Sequence, residues 1–116
     1  MSDVDVVIID SGGANLASLR YALERLGARS EVSAAPDVIA TAPRLLLPGV
    51  GAAADAMNRL HAGGLAGTIR TLRQPLLGIC LGMQLLYERS EEGDAPGLGL
   101  VAGTVQRIPA APGRSR

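Results

Sequence analysis

The sequence predicts an α/β fold, with an open and mostly parallel sheet and helices on both of its faces. Short aliphatic runs of strand length alternate with longer segments in which leucines recur every three or four residues. Glycine-containing turns separate the two kinds of segment. Strands that alternate with helices usually form a parallel sheet that helices cover on both faces.

The composition limits the possible functions. A chain of 116 residues is expected to form one domain, and its core must be aliphatic because it contains two tyrosines but no phenylalanine or tryptophan. All 11 basic residues are arginine, so lysine nucleophiles are excluded. A formal net charge of zero, without a basic cluster or aromatic platform, argues against a nucleic-acid partner.

One cysteine, Cys80, and one histidine, His61, cannot complete a zinc site alone, and we expect no metal and no cofactor. The first residues lack the basic segment of a signal peptide, and no apolar run has transmembrane length. We therefore expect no membrane partner and a cytoplasmic location, where the thiol stays reduced.

The first half of the chain predicts three strands and two helical segments. Its β-branched run predicts a buried strand, and the leucines at 16, 19, 23 and 26 predict a helix that Gly27 stops. Pro48 is expected to cut off the third strand. The predicted elements are strand Val4–Ile9, a helix from Leu16, strand Arg29–Ser33, a helical turn at Pro36-Asp37 and strand Arg44–Leu47.

The second half begins with the loop Pro48-Gly49-Val50-Gly51. The segment beyond Gly93 has no helical period, and its glycines predict antiparallel strands followed by a frayed tail. The predicted elements are helices Ala52–Ala62 and Leu65–Arg73, strand Leu76–Ile79, a helix from Leu81 to about Ser90, strands within Gly97–Ile108 and a tail from Pro109 to Arg116.

Cys80 lies in a Gly-x-Cys-x-Gly turn between a predicted strand and a predicted helix. Sites in open parallel sheets form at the carboxyl ends of strands, and such a turn directs its central side chain outward. Cys80 is then a candidate nucleophile, and the Leu81 N–H and the loop after the third strand are candidate oxyanion donors. The alternative is an inert buried thiol, since free cysteines are often buried.

Four motifs in order resemble the class I (triad) glutamine amidotransferases, whose fold is flavodoxin-like. They are Leu47-Pro-Gly-Val-Gly51, Gly78-Ile-Cys-Leu-Gly-Met-Gln-Leu-Leu86, Ser90-Glu-Glu-Gly93 and Gly97-Leu-Gly-Leu-Val-Ala-Gly103. Within that class, the first and fourth motifs and the opening Asp10-Ser-Gly-Gly-Ala-Asn-Leu16 are similar to the glutaminase subunits of imidazole glycerol phosphate synthases. The resemblance covers about residues 4–108.

The resemblance implies that Cys80 attacks the side-chain amide of glutamine and forms a thioester, while the backbone of Val50 and Leu81 holds the oxyanion. It implies that Gly49 and Gly51 let the loop reorient, and that the remaining substrate contacts are Gln84 and Glu92. Ammonia would pass to a (β/α)₈ cyclase subunit in a heterodimer. That subunit would make imidazole glycerol phosphate and aminoimidazole carboxamide ribotide in histidine biosynthesis, with Asn15 facing it.

The family also uses a histidine base and a glutamate two residues later, in a segment beyond the motifs present here. The 116 residues therefore resemble the N-terminal portion of such a domain, and we expect this chain to be inactive alone. His61 is not expected to substitute, because it lies ten residues after Gly51, roughly 15 Å along the following helix and away from Cys80.

Several residues have a simpler interpretation. Glu92 and its neighbour could form a solvated helix end, Gln84 could face solvent, and Asn15 could serve only as a helix N-cap. Asp10 could support the site or only form a turn. Two other functions stay open: a non-catalytic module that keeps the glutamine-facing and cyclase-facing loops, and a redox or carbonyl-protection protein with a similar cysteine turn.

Overall fold

The computed structural model of the protein describes residues 3–12, 15–91, 95–106 and 108. These residues form seven strands and five helices. In chain order they are β1 (Val6–Ile9), α1 (Leu16–Arg25), β2 (Ser30–Ser33), α2 (Pro36–Thr41), β3 (Leu45–Gly49), α3 (Ala53–Ala62), α4 (Leu65–Arg70), β4 (Leu76–Cys80), α5 (Leu81–Leu85), β5 (Tyr87–Ser90), β6 (Ala95–Pro96) and β7 (Val101–Val105).

Four strands form a parallel sheet in the order β2-β1-β3-β4. The chain alternates strand and helix through this sheet, which confirms the predicted α/β class. The Gly27 stop is also confirmed, because Gly27 has a φ of 77° and the Ala28 N–H donates to the Leu23 carbonyl at 2.9 Å. None of the described helices is long and apolar enough to cross a membrane.

The core lies on one face of the sheet. Alternate residues of a strand point to the same face, and Val7, Ile9, Leu45 and Leu47 are all at most 2% exposed. The helices α2, α3, α4 and α5 complete this core with aliphatic side chains. Their largest buried contributors are Ile39, Met57, Leu60, Leu65, Ile69 and Leu85.

Helix α1 lies on the other face and covers it only in part. By register Ile8, Val32, Leu46 and Leu77 lie side by side on that face. Helix α1 packs beside β2, and a cleft between them is lined by Val32. None of its residues is buried, and Leu77 on the outer strand β4 is 59% exposed. The packing of α1 against this face of the sheet is therefore weak.

Strand β3 runs through Pro48 to Gly49, so the prediction that Pro48 ends the strand is wrong. The Leu45 N–H donates to the Pro75 carbonyl on the β4 side. Directions alternate along a strand, so the nitrogen of Pro48 faces β1, whose pairing with β3 ends at Leu46. The missing N–H of proline therefore interrupts no hydrogen bond of the sheet.

The segment after Cys80 also differs from its prediction. Helix α5 ends at Leu85, and Tyr87–Ser90 forms strand β5 instead of the second half of a helix. Strand β5 pairs antiparallel with β6, which precedes the segment predicted to form antiparallel strands. It pairs parallel with β7, so the antiparallel prediction for Gly97–Ile108 is wrong for this strand. Pairing with these two strands overrides the local helical preference of the segment.

The small sheet is attached to the main body through its glycine turn. The Arg70 Nε of α4 donates to the Leu98 carbonyl at 3.1 Å, and Leu98 is 3% exposed in the core. A Cβ on Gly97 would overlap the Tyr87 carbonyl, so only glycine allows this turn to lie against β5. Both sheets consequently share one hydrophobic core.

Candidate active site

The two glycine loops singled out in the sequence lie side by side at the carboxyl edge of the main sheet. Strands β3 and β4 are parallel neighbours, and Gly49 lies opposite Cys80 in their register. Val50 and Leu81 directly follow these two residues, so their N–H groups belong to the same edge. The topology therefore brings together the predicted nucleophile and both predicted oxyanion donors.

Cys80 has φ 56° and ψ −125°, and it is the one non-glycine residue with positive φ among the described residues. This region of backbone space is almost restricted to glycine, and a side chain there costs about 1–3 kcal/mol. The cysteine is exposed and has a free thiol. The exposure of Cys80 shows that the alternative of a buried thiol is wrong.

Three glycines let the turn pack closely enough to hold this geometry. A Cβ on Gly78 would lie 2.6 Å from the Met83 Cα, and one on Gly49 would lie 2.9 Å from the Gly82 nitrogen. A Cβ on Gly82 would overlap the Leu47 carbonyl. Helix α5 therefore rests backbone against backbone on β3 and β4, and this contact fixes the position of Cys80.

A groove of about 210 Å³ runs beside the thiol, between α1 and the β3–α3 loop. None of its lining residues that the structure describes is charged, so these residues offer a nucleophile and backbone groups but no acid or base. The residues that form its walls on the two sides of Cys80 include Asn15, Ser18, Leu19, Val50 and Ile79.

The structure places the other predicted site residues as follows. Gly51 has a φ of 87°, which glycine adopts readily, and Val50 beside it is 49% exposed. Gln84 is half-buried one turn beyond Cys80 on α5, so it lies near the thiol end of that helix. Glu92 lies outside the described residues.

Asn15 and Asp10 have the simpler roles that the sequence allowed. The Asn15 side chain caps α1 by accepting from the Ser18 N–H at 3.4 Å, and it also lines the groove. The Asp10 Oδ1 accepts from the Gly12 N–H at 3.0 Å, which is a turn-forming contact.

His61 is exposed in the last turn of α3, at the end of the helix away from the groove. This position agrees with the expectation that His61 does not serve as the base. Within residues 3–12, 15–91, 95–106 and 108, no group of three His, Cys, Asp or Glu side chains could hold a metal ion.

Sequence reasoning missed Ser18 and Leu19 as groove residues. They follow Asn15 by three and four positions, and that spacing puts all three on one face of the first turn of α1. It also missed Arg59, whose Nε donates to the Ser11 carbonyl at 2.9 Å across 48 residues. No local pattern marks that contact.

Comparison with known proteins agrees with this geometry. Residues 7–108 match the family model for class-I glutamine amidotransferases. The chain is 55% identical over 109 residues to "Imidazole glycerol phosphate synthase subunit HisH" of Xanthomonas oryzae pv. oryzae (strain MAFF 311018), covering 94% of this chain and 54% of that protein. The same subunit of Xylella fastidiosa (strain Temecula1) is 53% identical over 108 residues, with 93% and 54% covered.

A solved structure titled "Crystal structure of glutamine amidotransferase" superimposes with a TM-score of 0.73 and 22% identity, over 89% of this chain and 56% of that one. This likeness supports the fold. The chain spans about half the length of the curated relatives it matches.

Proposed function

Because this chain belongs to the class-I glutamine amidotransferase family, we propose that its Cys80 edge is the nucleophile half of a site that hydrolyses glutamine. The observation that carries the proposal is the strained, exposed Cys80 directly opposite Gly49 in adjacent parallel strands. Residues 1–116 are then part of one glutamine amidotransferase domain, since the two sheets share a core.

In this proposal the Cys80 sulfur attacks the side-chain amide carbon of glutamine, and the carbonyl oxygen takes up the negative charge. The N–H groups of Val50 and Leu81 donate to that oxygen. The carbon–nitrogen bond then breaks, the nitrogen takes a proton and leaves as ammonia, and a thioester stays on Cys80. Water adds to the thioester, which releases glutamate and restores the thiol.

The substrate side of the site follows from the family pattern. We propose that Gln84 and Glu92 contact glutamine, with the Glu92 carboxylate suited to its α-ammonium. Gly51 in its positive-φ conformation leaves the Val50 peptide free of a bulky neighbour on one side. Gly49 has a further reason to be glycine, because α5 approaches it closely.

Proton transfer requires a group that is not among the described residues lining the groove. The leaving nitrogen must be protonated, which an imidazole usually achieves. The single histidine of the 116 residues, His61, is exposed at the far end of α3. We propose that the base, a histidine oriented by a glutamate, belongs to the part of the relatives that this chain does not match.

The names of the relatives suggest the destination of the ammonia. We propose that a (β/α)₈ cyclase subunit receives it in a heterodimer and makes imidazole glycerol phosphate and aminoimidazole carboxamide ribotide in histidine biosynthesis. Asn15 at the mouth of the groove is the residue that we expect to face this subunit. A nucleophilic exposed thiol fits a cytoplasmic location, where it stays reduced.

The test measures glutamate release from glutamine by three proteins: this chain, this chain extended with the unmatched segment of the Xanthomonas oryzae relative, and the extended chain carrying Cys80→Ala. Each is assayed with and without the cyclase subunit of that organism. We expect hydrolysis only by the extended chain with Cys80, and more of it with the cyclase. Hydrolysis by the 116-residue chain alone would contradict the assigned roles.

A non-catalytic module is the second candidate, favoured by the lack of an acid or base among the groove-lining residues within the described part of the chain. It predicts that the extended chain binds the cyclase but releases no glutamate. A redox or carbonyl-protection role loses support, because the match to the amidotransferase family covers residues 7–108.

A further inference from the structure

We infer that Arg59 is a positioning residue that ties the two walls of the Cys80 groove together, an inference that rests on the proposed glutaminase function. One wall is the start of α1, and the other is the loop between β3 and α3. Arg59 belongs to α3, which begins at Ala53 directly after that loop, and its side chain binds the turn that precedes α1.

The direction of the helix explains how Arg59 reaches this turn. Helix α3 starts at the carboxyl edge of the sheet, and Arg59 lies six residues after Ala53, or roughly 9 Å along the axis. Side chains of a helix tilt toward its N-terminus. The Arg59 side chain therefore extends back to the carboxyl edge, where β1 ends and Ser11 follows.

The contact holds the turn on two sides. The Arg59 Nε donates to the carbonyl of Ser11, a residue only 8% exposed, at 2.9 Å. The arginine stem lies against Gly12, where a Cβ would come within 3.1 Å of the Arg59 Cδ. Gly12 also has a φ of 84° and donates to Asp10. The turn at residues 10–12 is thus fixed by the Asp10–Gly12 hydrogen bond within it and by the Arg59 side chain of α3.

The Arg59 contact matters for the position of helix α1, because the helix itself packs weakly against the sheet. None of its residues is buried, yet three of them line the groove: Asn15 as the N-cap, Ser18 and Leu19. A hydrogen bond from a charged donor at the base of the turn restrains where this helix begins. Arg59 thereby sets the separation between α1 and the Val50 loop, and so the width of the groove.

The test uses the 116-residue chain and the variants Arg59→Met and Arg59→Lys. Arg73→Met is the matched control, because Arg73 is an exposed arginine outside the groove. Two measurements are made on each protein. The first is amide hydrogen exchange resolved by segment, and the second is the rate of Cys80 alkylation by iodoacetamide and by the glutamine analogue 6-diazo-5-oxo-L-norleucine.

We expect Arg59→Met to accelerate exchange about tenfold at residues 19–25, whose N–H groups donate within α1, while β1 and β3 stay protected. Alkylation by the glutamine analogue should slow about tenfold, because small displacements in a site have large rate effects, while iodoacetamide reacts as before. Arg59→Lys should recover part of both effects, and Arg73→Met should change neither.

Unchanged exchange at residues 19–25, or an increase spread uniformly over the chain, would overturn the inference. The two proposals fail separately. If the analogue labels Cys80 of the unmodified chain no faster than it labels the free thiol of glutathione, the glutaminase assignment fails, whereas the exchange pattern still decides whether Arg59 positions α1.

Discussion

Replacing Gly78 with alanine should destabilise the protein strongly, because the added methyl group would meet only backbone atoms. Its Cβ would lie 2.6 Å from the Met83 Cα and 2.8 Å from both the Gly82 carbonyl oxygen and the Met83 nitrogen. All three are backbone atoms, so no side-chain rotation relieves the overlap. The first turn of α5 would have to move by roughly 1 Å to restore van der Waals contact.

Overpacking of a folded protein costs about 1–3 kcal/mol, and contact with backbone alone puts Gly78→Ala near the upper value, about 3 kcal/mol. For a domain of this size that lowers Tm by roughly 10–20 °C. Gly67→Ala is the matched control, since Gly67 lies within α4 and nothing lies within 4 Å of its added Cβ. There alanine should stabilise the helix by about 0.5–1 kcal/mol.

Urea denaturation followed by circular dichroism measures both changes, and alkylation of Cys80 by iodoacetamide reports the position of the thiol. We expect Gly78→Ala to lower the unfolding midpoint and to change the alkylation rate, because Cys80 lies between Gly78 and the displaced turn. If Gly78→Ala unfolds within about 0.5 kcal/mol of Gly67→Ala, the close contact between α5 and β4 is not as described.

Three further predictions concern other parts of the molecule. Cys80→Gly should be more stable than Cys80→Ala by about 1 kcal/mol in urea denaturation, because glycine relieves the strain at φ 56°; equal stabilities would mean that the turn is unstrained. The Arg29 backbone N–H donates a hydrogen bond to the Asp5 carboxylate. This hydrogen bond and the positive charge of the Arg29 side chain lower the pKa of Asp5 below 3.8. The stabilisation of the fold by this contact is present above pH 3.8 and is lost as the pH falls through the lowered pKa. When the free energy of unfolding is measured against decreasing pH, it should therefore fall less steeply for Asp5→Asn than for the unmodified chain. Strand β4 is an edge of the described sheet and its Leu77 is 59% exposed, so we expect the chain to self-associate through this edge. Leu77→Arg should reduce this self-association in sedimentation velocity, whereas Leu26→Arg should not, because Leu26 lies at the end of α1, outside the sheet.

The parallel sheet could be predicted because its strands and helices have patterns of different period. The β-branched run before Asp10 and the leucines of α1 carry that information locally. The Gly-x-Cys-x-Gly turn could be located for the same reason, since the glycines mark where backbones approach each other. The roles of Gln84 and Glu92 in substrate binding stay predictions that rest on the family.

Features that depend on distant residues were not predictable in this way. Tyr87–Ser90 has no local signal against helix, and only its partners in β6 and β7 make it a strand. The same holds for Pro48, because the end of the β1–β3 pairing decides whether its missing N–H matters. Arg59 is a further case, since its acceptor lies 48 residues earlier in the chain.

The two requirements of thiol catalysis are separated in this molecule. Holding the nucleophile depends on Gly49, Gly78 and Gly82, which pack α5 against two strands, and all three lie within the described residues. Proton transfer depends on a base that is not among the described groove-lining residues. An alkylating analogue of glutamine whose leaving group needs no added proton, such as a chloromethyl ketone, needs only the first requirement, whereas turnover needs both. The chain should therefore react once at Cys80 with such an analogue yet release no glutamate from glutamine until a base is supplied.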